Sequence, residues 1–292
     1  MYINDDKFIA YYMNEAKFPV QEDNDTAMIA KNTTSVVSIC AGFQKQENVR
    51  DRYGRLTRQT KVGASEGSGV IYKMQNNGEY VDAYIITNYH VLYGGSEYTD
   101  NKNGISTDIY VYVYGAMELF STGDENADGY LDENAVMGDT GEGIRATYIG
   151  GAMDYDIAIL KISDNKYLPQ SAASVATLGN SDEVLLGEKA FAIGNANGHG
   201  ISVTGGAISV GSENITMTST DGKRSVTYRV MRTDAAINHG NSGGGLFNAK
   251  GELIGITNAK NIQNETDNMG YALPITQVKA VVENILSNYN GG

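Results

Sequence analysis

The sequence predicts an all-β protein built from two packed six-stranded antiparallel β-barrels with a C-terminal helix. Three observations predict it. Short segments rich in β-branched and aromatic residues follow one another closely and fall into two successive sets of about six. The residue supply suits many short strands and tight turns, with 35 Gly, 20 Tyr, 3 Pro and no Trp in 292 residues. Strand–helix alternation and fixed-period repeats are missing, which excludes a parallel sheet, a solenoid and a propeller.

Each element has its own reason. Residues 1–18 place Phe8, Ile9, Tyr12, Met13 and Ala16 on one face of a short amphipathic helix. Pro19 and the acidic, Asn-rich stretch to Thr26 read as a linker, so residues 1–26 form an N-terminal extension. The first set of strands is SVVSICAGF (35–43), SGVIYKM (68–74), YIITNYHVL (84–92), DIYVYVYG (108–115), IRATYIG (144–150) and DIAILKI (156–162), a barrel over about 27–165. The second is EKAFAIG (188–194), ISVTGGAISVG (201–211), VTYRVMRTD (226–234), GGLF (244–247), ELIGITNA (252–259) and MGYALP (269–274), a barrel over about 174–275. Ile275, Val278, Val281, Val282, Ile285, Leu286 and Tyr289 then recur at helical spacing and close the chain at 275–289.

Composition excludes several functions. With 22 basic and 35 acidic residues the net charge is −13, and the pI is near 4.6. Nucleic acid is therefore not an expected partner, because phosphates require a basic surface. Anionic membrane surfaces are disfavoured for the same reason. No apolar run reaches the roughly 18–20 residues that span a bilayer, and the N-terminus carries acids where a signal peptide needs bases. Cys40 is the single cysteine, so no intrachain disulfide framework exists. In an apolar strand it reads as a small buried hydrophobe.

Chemistry concentrates in three segments. His90 ends the apolar run ITNYHVL, DYDIAIL sets Asp156 immediately before a strand, and NHGNSGGGLF holds Ser242 among glycines. A serine hydroxyl becomes a nucleophile when an imidazole takes its proton and a carboxylate fixes that imidazole. Glycines leave backbone N–H groups free to meet a developing oxyanion. The chain order His, Asp, Ser is the chymotrypsin order.

TNYHVL, DYDIAILKI, TDAAINHGNSGGGLFNAKGELIGI and GYALP together resemble the HtrA/Deg family of chymotrypsin-fold, trypsin-like serine proteases, over about Ala27 to Tyr289. The resemblance implies a triad of Ser242 as nucleophile, His90 as general base and acid, and Asp156 as orienting carboxylate. It implies an oxyanion hole from Gly240, Asn241 and Ser242, and a specificity pocket from Ala236, Ile237 and Asn258. Ala236 stands six residues before the nucleophile, where trypsin-like enzymes that cleave after Arg or Lys carry Asp. A shallow apolar pocket for small or medium aliphatic side chains follows. Asn241 replaces the buried acid that would receive a new N-terminal ammonium, so loop ordering is the expected form of control. His239, Gly245 and Ala196 stand where the family commonly has Pro.

The same resemblance implies an endopeptidase acting on unfolded or exposed polypeptide, of the quality-control type. It also implies an exported location, a homo-oligomer (a trimer by family analogy) and membrane attachment only through an anchor that this sequence does not show. The family commonly carries PDZ domains after the protease, and the expectation here is a protease domain alone, with a trimmed chain as the alternative. Two other readings stay open: a silent peptide-binding or chaperone-like module, and a glutamyl-type secreted protease of the same fold. No cofactor is required for the chemistry.

Two loops complete the expectations. In DENADGYLDENA (124–135), Asp124, Asn126, Asp128, the Tyr130 carbonyl and Asp132 fall at alternate ligand positions of a structural calcium loop, with Gly129 at the turn. Ala135 breaks the pattern where a bidentate Glu belongs. RDRYGRLTRQTK (50–61) concentrates Arg50, Arg52, Arg55, Arg58 and Lys61 and reads as a solvated loop between the first two strands.

Overall fold

A computed structural model describes residues 24–50, 52–95, 103–114, 143–259 and 269–289. The expected helix over 1–18 and the expected calcium ligands Asp124, Asn126, Asp128, Tyr130 and Asp132 lie outside the described residues.

Among the described residues, twelve strands form two closed antiparallel barrels. The first contains β1 (Val36–Arg50), β2 (Leu56–Asn77), β3 (Tyr80–Thr87), β4 (Asp108–Val113), β5 (Ile144–Ala152) and β6 (Ile157–Asn165), in the order β1-β2-β3-β6-β5-β4. The second contains β7 (Lys189–Gly194), β8 (Ser202–Thr218), β9 (Ser225–Thr233), β10 (Gly245–Asn248), β11 (Leu253–Asn258) and β12 (Gly270–Pro274), in the order β7-β8-β9-β12-β11-β10. Closure pairs β1 with β4 and β7 with β10, so neither barrel leaves an open edge.

The apolar runs are continuous because many strands are buried on both faces. Val37, Ile39, Ala41 and Phe43 of β1 point into the first barrel with Ile71, Ile85, Ile109 and Leu160. Their neighbours on the other face (Val36, Val70, Ile86, Ile157 and Ile159) join Phe247, Ile256, Tyr228 and Val230 in a core between the barrels. The C-terminal helix (Ile275–Asn288) seals that core with Ile275, Val278 and Val282. It packs on β5 closely enough that a Cβ on Gly150 would lie 2.5 Å from Ile285 Cγ2.

Three places differ from the sequence expectation. The stretch read as a linker up to Thr26 already contains the start of helix α1 (Asn24–Thr33), whose Asp25 and Lys31 sit in the turns that the helix dipole favours. The segment 50–61 is not a plain loop: β1 and β2 pair without a break to Arg50↔Leu56 and form a long arm. Cross-strand contacts support it, with Gln46 Nε2 donating to Thr60 Oγ1 at 2.7 Å and Lys61 paired to Glu47 at 2.5 Å. Finally, β3 stops at Thr87, and His90 lies in a single helical turn, α2 (Tyr89–Leu92). The chain leaves the ladder there because Asn88 Nδ2 and Tyr89 N–H both donate to the Asp156 carbonyl, at 2.9 and 3.1 Å.

Candidate active site

Asp156 is set by its backbone. It follows a 3-10 turn (Met153–Tyr155) and adopts φ 51°, ψ 40°, a left-handed conformation rare outside Gly but tolerated by Asp. Its side chain is 0% exposed. The carboxylate has three donors: His90 N–H to Oδ1 at 3.0 Å, His90 Nδ1–H to Oδ2 at 2.7 Å, and Asn258 Nδ2 to Oδ2 at 2.8 Å. Taking Nδ1 as the protonated nitrogen follows from an ionised carboxylate, which only accepts. That choice leaves Nε2 as a lone-pair base on the more open side of a ring whose side chain is 22% exposed. A buried phenol nearby registers the same negative charge. Tyr228 is pushed up to about 12, first by burial and then by Asp156.

Ser242 stands in a tight loop between β9 and β10. Gly243 has φ +85°, and a Cβ there would lie 2.2 Å from the Ser68 carbonyl, so only glycine fits. The Ser242 carbonyl accepts from Ser68 N–H at 2.8 Å, and its Oγ accepts from Ala259 N–H at 3.1 Å. A hydroxyl has a second lone pair and its own proton, so this bond leaves the proton free to move. His90 Nε2 has no hydrogen bond to Ser242 Oγ or any other partner among the described residues. Such contacts commonly close only around substrate.

The turn before Ser242 is held so that its amides stay available. The His239 carbonyl accepts from Asn197 N–H at 2.8 Å, and the trans peptide directs Gly240 N–H the opposite way. Gly240 has φ +86° with the Asn195 carbonyl 2.1 Å from where a Cβ would sit. The Gly240 carbonyl accepts from Ser68 Oγ at 2.7 Å. Asn241 N–H bonds to Asn238 O at 3.1 Å, whereas Gly240 N–H and Ser242 N–H have no bonded acceptor among the described residues. Of the three amides expected at an oxyanion hole, two are therefore free and that of Asn241 is engaged.

The expected pocket residues lie in three different surroundings. Ala236 is exposed and its carbonyl accepts from Thr204 Oγ1. Ile237 is buried in the core of the second barrel, next to Gly270. Asn258 uses its side-chain amide on Asp156. His239 is exposed. Among the described residues there is no group of three or more His, Cys, Asp or Glu that could hold a metal ion. The sequence reading missed the supporting residues Ser68, Asn88, Asn195, Asn197 and Thr257, whose Oγ1 donates to the Asn241 carbonyl at 2.5 Å. Polar residues inside apolar runs (the TN before YHVL, the TN ending ELIGITN) were the available signal.

The trypsin-like peptidase domain family matches residues 67–256, which is more than half of the chain. Among curated proteins the chain is 30% identical to the serine protease Do-like HtrA of Lactococcus lactis subsp. cremoris (strain MG1363), over 89% of this chain and 56% of that protein. It is 32% identical to the serine protease Do-like HtrA of Bacillus subtilis (strain 168), over 77% of this chain and 40% of that protein. The chain belongs to the trypsin-like peptidase domain family. It is also similar to a solved HtrA-type structure: the protease AlgW with a decapeptide has a TM-score of 0.57 and 26% identity, covering 90% of this chain and 67% of that one. The chain spans about half the length of the curated HtrA proteins it matches. No described helix is long and apolar enough to cross a membrane.

Proposed function

We propose that this HtrA-like chain is a serine endopeptidase that cleaves exposed or unfolded polypeptide through an acyl-enzyme. The observation that carries the reading is the triply bonded, fully buried Asp156 carboxylate 2.7 Å from His90, beside a serine turn with two unbonded amides. In the proposed cycle His90 Nε2 takes the Ser242 proton as Oγ attacks the scissile carbonyl. Asp156 keeps the imidazole in the required tautomer and stabilises its cation. Gly240 N–H and Ser242 N–H receive the developing oxyanion, a contribution worth about 3–4 kcal/mol per donor in comparable sites. His90 then protonates the leaving amine, and water repeats the sequence on the ester. Every group in the cycle comes from this chain, the substrate or water, and the cycle calls for no cofactor.

Finer expectations belong to the same reading: a small or medium aliphatic residue on the acyl side near Ala236, protein quality control, export, and assembly into homo-oligomers. The protease unit would run from residue 27 to 292, after an extension of 1–26. A structural calcium ion in 124–135 is a separate element, tested by comparing Tm in EDTA and in millimolar Ca²⁺. The function itself is tested by casein hydrolysis with wild type and Ser242→Ala. Hydrolysis that Ser242→Ala abolishes is expected. Hydrolysis retained by Ser242→Ala would remove the reading.

A further inference from the structure

Ser242 lies between two walls. On one side Ala259 N–H touches its Oγ, next to Asn258. On the other, β2 approaches: Ser68 N–H holds the Ser242 carbonyl, and Ser68 Oγ holds the Gly240 carbonyl. Because the acyl-side pocket is expected around Ala236 and Asn258, the β2 wall faces the leaving half of a substrate.

Glu66 stands two residues before Ser68 on β2, hence on the same face of the strand. It is exposed, and among the described residues it has neither an ion pair nor a hydrogen bond. Its carboxylate rests against the turn that follows β7: a Cβ on Gly198 would lie 2.2 Å from Glu66 Oε2. The neighbouring Asn197 N–H is the group that holds the His239 carbonyl. Partial burial makes the charged form costlier, and His199 acts in the opposite sense. A lone, partly desolvated carboxylate on a cleft wall lacks a strong partner, and a divalent ion would require several more oxygen ligands. Glu66 lies two strand residues, about 6.6 Å, beyond Ser68. An extended substrate advances about 3.3 Å per residue, so it presents the second residue past the scissile bond there.

We propose that Glu66 is a specificity-determining residue that binds a Lys or Arg side chain at the second position beyond the scissile bond, on the leaving-group side. The proposal rests on the endopeptidase reading above. It explains why an acid is retained unpaired at the rim of the cleft.

The test uses fluorogenic peptides identical except for Arg, Ala or Glu at that second position, with enzyme concentrations fixed by active-site titration. Wild type should prefer Arg over Ala by about five-fold in kcat/KM, the scale of one charge-assisted contact near the surface. Glu66→Gln should bring that ratio to near one, and Glu66→Lys should invert it in favour of the Glu peptide. A wild-type ratio near one, or a ratio that survives Glu66→Gln, overturns the proposal. A parallel arm measures binding of the same peptides to Ser242→Ala and to Ser242→Ala/Glu66→Gln by fluorescence anisotropy. That arm needs no turnover, so a protein without protease activity would fail the endopeptidase reading while Glu66 is still judged by the affinity ratio.

Discussion

Asp156→Asn is the most informative single change, because the hydrogen-bond inventory of the site dictates its outcome. Asparagine keeps the shape, and it tolerates the left-handed backbone at φ 51°. It replaces one acceptor oxygen by an NH₂ group. With the amide nitrogen at the Oδ1 position, it faces the His90 backbone N–H, and two donors collide. With the nitrogen at the Oδ2 position, it meets His90 Nδ1 and the Asn258 amide. Asn258 can present its oxygen there by turning its amide over, and His90 can accept at Nδ1. The second arrangement sets no donor against a donor at residue 156 and is favoured. It also places the imidazole proton on Nε2, where a lone pair is needed to take the Ser242 proton. The negative charge that stabilises imidazolium disappears as well. We expect kcat to fall by about 10⁴, equivalent to about 5.4 kcal/mol in activation free energy. Folding should change far less, by about 1–3 kcal/mol, since one charged hydrogen-bond acceptor is exchanged for a neutral set. The assay is kcat on a fluorogenic peptide with Tm recorded alongside. A loss below ten-fold in a folded variant would refute the reasoning.

Three further outcomes follow from separate parts of the structure. Ser68→Ala leaves the Gly240 carbonyl and Asn195 N–H without their shared hydroxyl; kcat should drop by about 10–100-fold at the scale of one misplaced oxyanion donor, and an unchanged kcat would show that Ser68 does not position the turn. Asp82 accepts from Asp164 N–H at 2.8 Å and pairs with Lys161 at 2.9 Å, and these contacts, the backbone one first, hold its carboxyl below the usual aspartate range. Its stabilisation is present at neutral pH and is lost as pH falls through that lowered value, so the Tm gap between wild type and Asp82→Asn should narrow steadily on acidification below the usual aspartate range; a gap independent of pH there contradicts the assignment. Cys40 is buried, and burial pushes its thiol to about 12, with Glu66 and Asp108 adding to the shift, so native protein at pH 8 should resist iodoacetamide and unfolded protein should react. Rapid alkylation of the folded chain would be inconsistent with that burial.

The two-barrel fold was legible because strand identity is written in local composition. SVVSICAGF, YIITN and DIAILKI are β-branched runs with no competing helical period, and each became a strand. The long arm was not legible. Its residues Gln44–Arg50 are polar apart from Val49 and gain their order from pairing with 56–62, a non-local contact that composition does not encode. The turn at Tyr89–Leu92 was missed for a related reason: YHVL reads as strand, and Asn88 and Tyr89 are drawn off the ladder by Asp156, far away in sequence. In the site, His90, Asp156 and Ser242 stood out through glycine context and order. The structure brings His90 and Asp156 together and sets Ser242 among the turn amides. The residues that orient them, Ser68, Asn197 and Asn258, were illegible in those roles because a lone Ser or Asn does not name its partner in the sequence. Asn258 is the sharpest case: its bond to the Asp156 carboxylate was not foreseen beside the pocket role expected for it.

The central claim is that Ser242 is a nucleophile activated by His90 and Asp156. Its most direct measurement is fluorophosphonate labelling of the folded wild-type chain, followed by mass spectrometry of the peptide that contains residue 242. The account predicts one adduct, located on Ser242, absent from Ser242→Ala and formed at least a thousand-fold more slowly in His90→Ala. A folded wild-type protein that stays unlabelled, or one labelled at another serine at the same rate with and without His90, would contradict it.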